Sequence, residues 1–190
     1  MSSPSPDVSF DDQLLIVVDE NNEILDYRSK ADCHAGEGIL HRGFSIFLFN
    51  EDERLLLQQR SATKALWPLY WSNSCCSHPR RDEVEIDAAR RRLREELGLV
   101  AKLESLFTFQ YHARFQDRGS EREICEVFLG YTSDAVRGNQ NEIAAWKWLE
   151  IAEFEKGLAR NPDQFTPWLK LEWANLRETH WNEIEAYLSW

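Results

Sequence analysis

Cys75 and Cys76 stand side by side in the segment WSNSCCSHPRRDE, with His78 two residues beyond them. Three chemistries use such a cluster: a disulfide staple, a zinc site, or a reactive thiol beside a metal-binding imidazole. Length and content begin to separate them. A chain of 190 residues with 43% hydrophobic content can build one well-cored domain without staples. Cys33, Cys75, Cys76 and Cys125 are too few and too scattered for a disulfide framework. Adjacent cysteines are also awkward to close into a bridge. A reducing, cytoplasmic setting is expected. The N-terminus has neither a basic start nor a long apolar run, and Leu14 to Val18 is far too short to cross a bilayer, so no membrane partner is expected. A net charge of −11 argues against nucleic acid, although local basic residues remain free to grip one small anion.

The elements that must position these residues are of mixed type. LLIVVD reads as a strand followed by a polar turn at Glu20 to Glu23. FSIFLFN and LLLQQR, joined by EDER, read as a hairpin. Asp82 to Leu97 reads as a helix: Asp82 and Glu85 have capping-box spacing, Ile86, Ala89, Leu93 and Leu97 form an apolar stripe, and Gly98 stops it. SLFTFQYHARF and EREICEVFLGY look like a strand pair, and EIAAWKWLE like a further strand. Thr166 and Pro167 open a long C-terminal helix as N-cap and first helical residue. Its apolar stripe of Leu169, Trp173, Leu176 and Ile184 takes in His180 as a core or edge residue. Strands and helices follow no regular βαβ rhythm, so the expected fold is α/β (α+β), a mixed sheet sandwiched between helices. Residues 1–10 are expected to be flexible and 11–190 to form a single domain.

The spacing from Ser77 through Glu83 to RRLREELGL resembles the Nudix box. Glu83, Arg91, Leu93, Glu95, Glu96, Gly98 and Leu99 fit its pattern; Ser77 replaces the first Gly and Arg92 the first Glu of the helical triplet. Arg92, Glu95 and Glu96 share a helix face. Carboxylates there suit Mg²⁺ bridging to a diphosphate, whereas an arginine removes a ligand and adds a phosphate clamp. WSNSCCSHPRRDE with EREICEVF is similar to the type I isopentenyl-diphosphate isomerases, which carry a Nudix-like fold. HAGEGILHRGFSIFLFN, RSATKALWPLYWSNSCCSHP, FQYHARF and FTPWLK extend the resemblance from about Leu14 to Trp173.

The resemblance implies a divalent ion, with Mn²⁺, Mg²⁺ or Zn²⁺ as candidates, held by His34, His41, His78, Glu121 and Glu123. The residues agree. His34 and His41 bracket the glycine-containing HAGEGILH turn, while Glu121 and Glu123, two apart on a strand, face the same side. Five N/O ligands favour six coordination over zinc's usual four. The implied reaction interconverts isopentenyl and dimethylallyl diphosphate through a carbocation-like state. Glu123 and Cys76 would transfer the protons, Tyr111 would hydrogen-bond to the acidic side, and Trp168 would face the cation. Lys30, Arg60, Lys64 and Arg92 would hold the diphosphate, and Glu96 a substrate-linked Mg²⁺. The partner would be a small isoprenoid diphosphate, and the chain a monomer or weak dimer. A Nudix-type diphosphate hydrolase is the alternative, with Arg92 against it. A zinc module is a third reading, for which Cys33-His34 and Cys76-x-His78 leave room although Cys-x₂-Cys pairs are absent.

Overall fold

The computed structural model describes residues 6–188. Its sheet is organised around one strand whose sequence is apolar almost without alternation. β3 (His41–Phe49) is buried at every position but Arg42, as a strand covered on both faces must be. Its side chains still divide by period two. Phe44, Ile46 and Leu48 meet Ala88, Ala89, Leu93 and Leu97 of helix α2 (Glu85–Leu97) on one face. Phe47 and Phe49 meet Leu169, Trp173 and Leu176 of α4 (Pro167–Thr179) and Phe154 of α3 (Ile151–Arg160) on the other.

β1 (Leu14–Val18) pairs with β2 (Ile24–Ser29) as an antiparallel hairpin at the sheet edge. The short helix α1 (Lys30–His34) follows at once, capped by Ser29 Oγ, which accepts from the Asp32 amide. β3 and β4 (Leu55–Arg60) do form the expected hairpin, but only at its base, where Phe49 pairs with Leu55. Beyond that pair the strands part. β3 takes β6 (Cys75–Ser77) antiparallel on one side and β8 (Gly119–Tyr131) in parallel on the other. β4 takes β5 (Trp71–Ser72) and β9 (Ile143–Leu149). β7 (Lys102–Phe115) pairs along β8 as expected. The sheet is therefore mixed and held between helices.

Two local expectations need correction. α2 begins at Glu85 rather than Asp82, and no side chain caps it. Asp82 adopts a left-handed backbone (φ 61°), so the capping-box spacing never becomes a capping box. Glu83 serves the entry instead, accepting from the Arg80 amide at 2.9 Å and from Arg91 Nε and Nη2 at 2.7 Å each. Gly98 does end the helix in the left-handed conformation. The C-terminal helix is two: α4 stops at Thr179, His180 turns the chain, and α5 (Trp181–Leu188) follows. His180 stacks on Phe107 at 4.8 Å, an edge position. At the N-terminus, residues 1–5 lie outside the described residues. Among residues 6–9, Pro6 O accepts from Asn139 and Val8 O from Arg92.

Candidate active site

Three elements bring three imidazoles together. His34 ends α1, His41 starts β3, and His78 follows β6; their ring centroids lie 4.9–5.3 Å apart. The HAGEGILH turn achieves this with Gly36 and Gly38 at φ 56° and 76°, values that glycine tolerates without Cβ strain. Glu121 and Glu123 alternate with Arg122 on β8 and point at the same cluster, since His41 and Glu123 are register partners. Glu121 Oε2 lies 3.0 Å from His34 Nε2, and Glu123 Oε1 lies 2.8 Å from His78 Nε2 and 3.7 Å from His41 Nε2.

The cluster suits a divalent cation on its own geometry. His34 Nε2, His41 Nε2 and Glu121 Oε2 are buried and have no hydrogen-bond partner, a costly arrangement unless a cation takes their lone pairs. One potential ligand atom each from His34, His41, His78 and Glu121 falls within a common 4.8 Å span. Nδ1 of His41 lies 2.7 Å from the Ile39 carbonyl, which directs its lone pair through Nε2 into the cluster. Burial pushes His78 down to about 4, keeping it the neutral imidazole a metal needs. Burial raises Glu123, but the imidazoles of His41 and His78 outweigh it and hold the carboxyl below its ordinary range. Glu96 does not join this group. It lies across the cavity wall, paired with Arg92 through Nε at 2.9 Å.

A cavity of about 600 Å³ opens beside the imidazoles, lined by Cys76, Tyr111 and Trp168 as well as Glu121 and Glu123. Tyr111 donates to Glu123 Oε2 at 3.0 Å. Trp67 packs edge-on against Trp168 at 5.2 Å, and Leu66, Phe115 and Tyr111 complete an apolar wall. The loop carrying this wall places Trp67 and Leu69 at φ 46° and 63°, strained values for bulky residues. Arg60 fastens it by donating to the carbonyls of Trp67 (3.0 Å) and Leu66 (2.9 Å), with its guanidinium over the Trp168 ring at 5.1 Å. Arg60 thus supports the pocket as well as lining it.

Cys76 Sγ is held by four polar groups. It donates to Asn73 Oδ1 (2.6 Å) and accepts from Trp168 Nε1 (3.2 Å), with Ser72 Oγ at 3.6 Å and Ser45 Oγ at 3.7 Å. Burial pushes the thiol up to about 12, with Ser72, Ser45 and Arg60 only partly opposing. Cys75 points the other way, fully buried against α2. Cys33 is buried beside Leu15 and Val17, and all four cysteines are free thiols, so neither a staple nor a cysteine-based zinc site forms.

The basic residues Lys30, Lys64, Arg60 and Arg92 line the same cavity. Burial, together with Lys64, pushes Lys30 down to about 8, a cation short of an anion. Lys64 pairs with Glu142, which the sequence reading overlooked. Arg92 is the surprise. Its guanidinium is 2% exposed and donates to Glu96, Glu95, Glu142, Ser9 and the Val8 carbonyl. It is a buried strut before it is a clamp. Asn73 and Glu142 also belong to the site; Asn73 sits inside the quoted cysteine motif, whereas Glu142 carried no local signal.

The NUDIX domain family model matches residues 39–169. A Photorhabdus laumondii protein named isopentenyl-diphosphate Delta-isomerase 1 is 39% identical over 172 residues, 90% of this chain and 98% of that one. An isopentenyl-diphosphate Delta-isomerase of Serratia proteamaculans is also 39% identical, across 93% and 96% of the two chains. Among solved structures, a Deinococcus radiodurans protein superposes with a TM-score of 0.64 at 23% identity, covering 78% of this chain and 90% of its own, and so shares the fold.

Proposed function

Since the chain belongs to the NUDIX-domain isopentenyl-diphosphate Delta-isomerases, we propose that it interconverts isopentenyl and dimethylallyl diphosphate. The observation that carries this is the meeting of Cys76, Glu123 and Trp168 on one cavity, beside three imidazoles and beneath a cluster of basic side chains.

The diphosphate lies with Lys30 and Lys64, where the lowered basicity of Lys30 is relieved by the incoming anion. The hydrocarbon end lies against Trp67, Trp168 and Leu66, which exclude the water that would trap a cation. One carbon of the double bond gains a proton, and a neighbouring carbon loses one. Cys76 and Glu123 handle these two protons and exchange roles between the two directions of the reaction. Tyr111 holds the Glu123 carboxylate in place. Trp168 Nε1 donates to the Cys76 sulfur and stabilises it when its proton has left. The Trp168 ring faces developing positive charge, a contact contributing about 0.5–2 kcal/mol. His34, His41, His78, Glu121 and Glu123 would hold a divalent ion, Mn²⁺ or Mg²⁺ before Zn²⁺, supplying positive charge that balances the two carboxylates. A further Mg²⁺ accompanying the diphosphate would use Glu96. The four free thiols support a reducing compartment, the cytoplasm, and the product would feed isoprenoid synthesis. No described helix is long and apolar enough to cross a membrane.

The test is incubation with isopentenyl diphosphate and Mg²⁺ or Mn²⁺, with product identification and metal analysis. Dimethylallyl diphosphate formation, lost on chelation, supports the proposal. Released phosphate would replace it with a diphosphate hydrolase, and no turnover with either ion would remove it.

A further inference from the structure

Of the five buried glutamates among the described residues, Glu96, Glu121, Glu123 and Glu142 each face an arginine, lysine or histidine. Glu172 does not. It is 0% exposed, forms no ion pair, and its Oε2 has no hydrogen-bond partner. It lies on α4 one turn after Trp168, so both side chains share the helix face turned to the cavity wall. Cys125 Sγ is 3.8 Å from Glu172 Oε1 and 3.5 Å from Ser45 Oγ, and Ser45 Oγ is 3.7 Å from Cys76 Sγ. A polar chain thus runs from a buried carboxyl to the proposed proton-transfer thiol.

A carboxyl buried without a cation keeps its proton, because an isolated buried charge is far costlier than a neutral acid. Burial accordingly raises Glu172 to about 8, and the Ser45 hydroxyl and Cys125 thiol offset only part of that. A protonated carboxyl has a hydrogen to donate, and Cys125 Sγ is the acceptor within reach. The Cys125 thiol hydrogen then goes to Ser45 Oγ, and Ser45 turns its own hydrogen to the sulfur of Cys76. An ionised carboxylate would draw the Cys125 hydrogen to itself and release Ser45 from that orientation.

Resting on the isomerase reading of Cys76, we propose that Glu172 is a positioning residue. Its carboxylic acid donates to Cys125 Sγ, the Cys125 thiol donates to Ser45 Oγ, and this turns the Ser45 hydroxyl hydrogen onto the Cys76 sulfur. Ser45 and Trp168 then offer the sulfur two donors, which matters most when Cys76 has given up its proton.

The test compares Glu172→Leu, Glu172→Gln and Ser45→Ala by steady-state isomerisation and by infrared spectroscopy. Glu172→Leu, which keeps volume and loses the donor, lowers kcat about tenfold and leaves KM unchanged. Glu172→Gln restores most of that loss, because its amide N–H can give a hydrogen to Cys125 Sγ in the same way. Ser45→Ala matches Glu172→Leu, and the double variant is no worse than either. Wild-type kcat in Glu172→Leu, equal impairment in the Gln and Leu variants, or losses that multiply would each overturn the assignment. The carboxylic-acid C=O band of the native protein at neutral pH, absent from Glu172→Gln, reads the donor carboxyl without any turnover. Its absence from the native protein refutes the proposal. Its presence in a protein without isomerase activity leaves the positioning intact and sinks the reaction instead.

Discussion

Gly43 sets the position of Glu123, and Gly43→Ala should separate activity from folding. A Cβ added at Gly43 would stand 2.5 Å from Glu123 Cδ and 3.0 Å from Oε1. Carbon atoms in contact normally keep about 3.5–4.0 Å, so the carboxyl group must retreat by roughly 1 Å. The obstructed group is the free end of a side chain, not strand backbone, and the parallel β3–β8 register can persist. The folding cost should therefore stay within about 1–3 kcal/mol, the ordinary range for overpacking. Activity has no such latitude. The same carboxylate is held at 2.8 Å from His78 and 3.0 Å from Tyr111, and a displacement of about 1 Å at reacting atoms costs roughly 100-fold. The assay is turnover of isopentenyl diphosphate at saturating metal, beside a thermal melt and metal analysis of the same preparation. A folded, metal-loaded Gly43→Ala protein with native turnover would refute the reasoning. So would a fall no larger than the lost folded fraction.

Arg92→Ala should lower stability as well as substrate affinity, since it strands Glu96 and leaves Glu142 with Lys64 alone; breaking a buried pair costs about 3–5 kcal/mol, read by denaturant titration, and an unchanged midpoint would contradict the strut role. Cys76→Ala should lower turnover by about 10²–10⁴-fold without loss of metal, whereas Cys75→Ala, a packing change against α2, should leave kcat near native. An inactive Cys75→Ala with intact fold would mean that the wrong thiol was chosen. Glu172 also makes a pH prediction with a definite sign. Its folded pKa, about 8, exceeds the ordinary glutamate value of 4.5, so between those pH values the folded state holds the extra proton and this group's contribution to stability falls as pH rises. Glu172→Gln removes that slope, so its stability relative to the native protein should increase from pH 5 to pH 8; parallel unfolding curves at both pH values would refute the shift.

The residue types and spacings of this chain determined much of its chemistry in advance. The Glu121-x-Glu123 pair lies on a strand, where period-two alternation commits both members to one side whatever surrounds them. The α2 stripe and Gly98 worked for the same reason: a local periodicity and a backbone conformation that glycine accommodates best. Tertiary structure decided what local rules cannot express. The β3–β4 hairpin separates because β3 must also serve β6 and β8, and that separation brings Cys76 and Glu123 to one cavity. The Asp82 capping box failed because the loop from β6 turns through a left-handed Asp82 and gives the helix entry to Glu83. Arg92 looked like a free clamp on its helix face, yet Glu142, fifty positions later, and the N-terminal segment close over it. Glu172 is visible in the sequence as a charged type on an apolar stripe. Only the packing of α4 against β3 and β8 shows that no cation meets it and that a thiol network does, because electrostatic partners are set by proximity in space rather than by order along the chain.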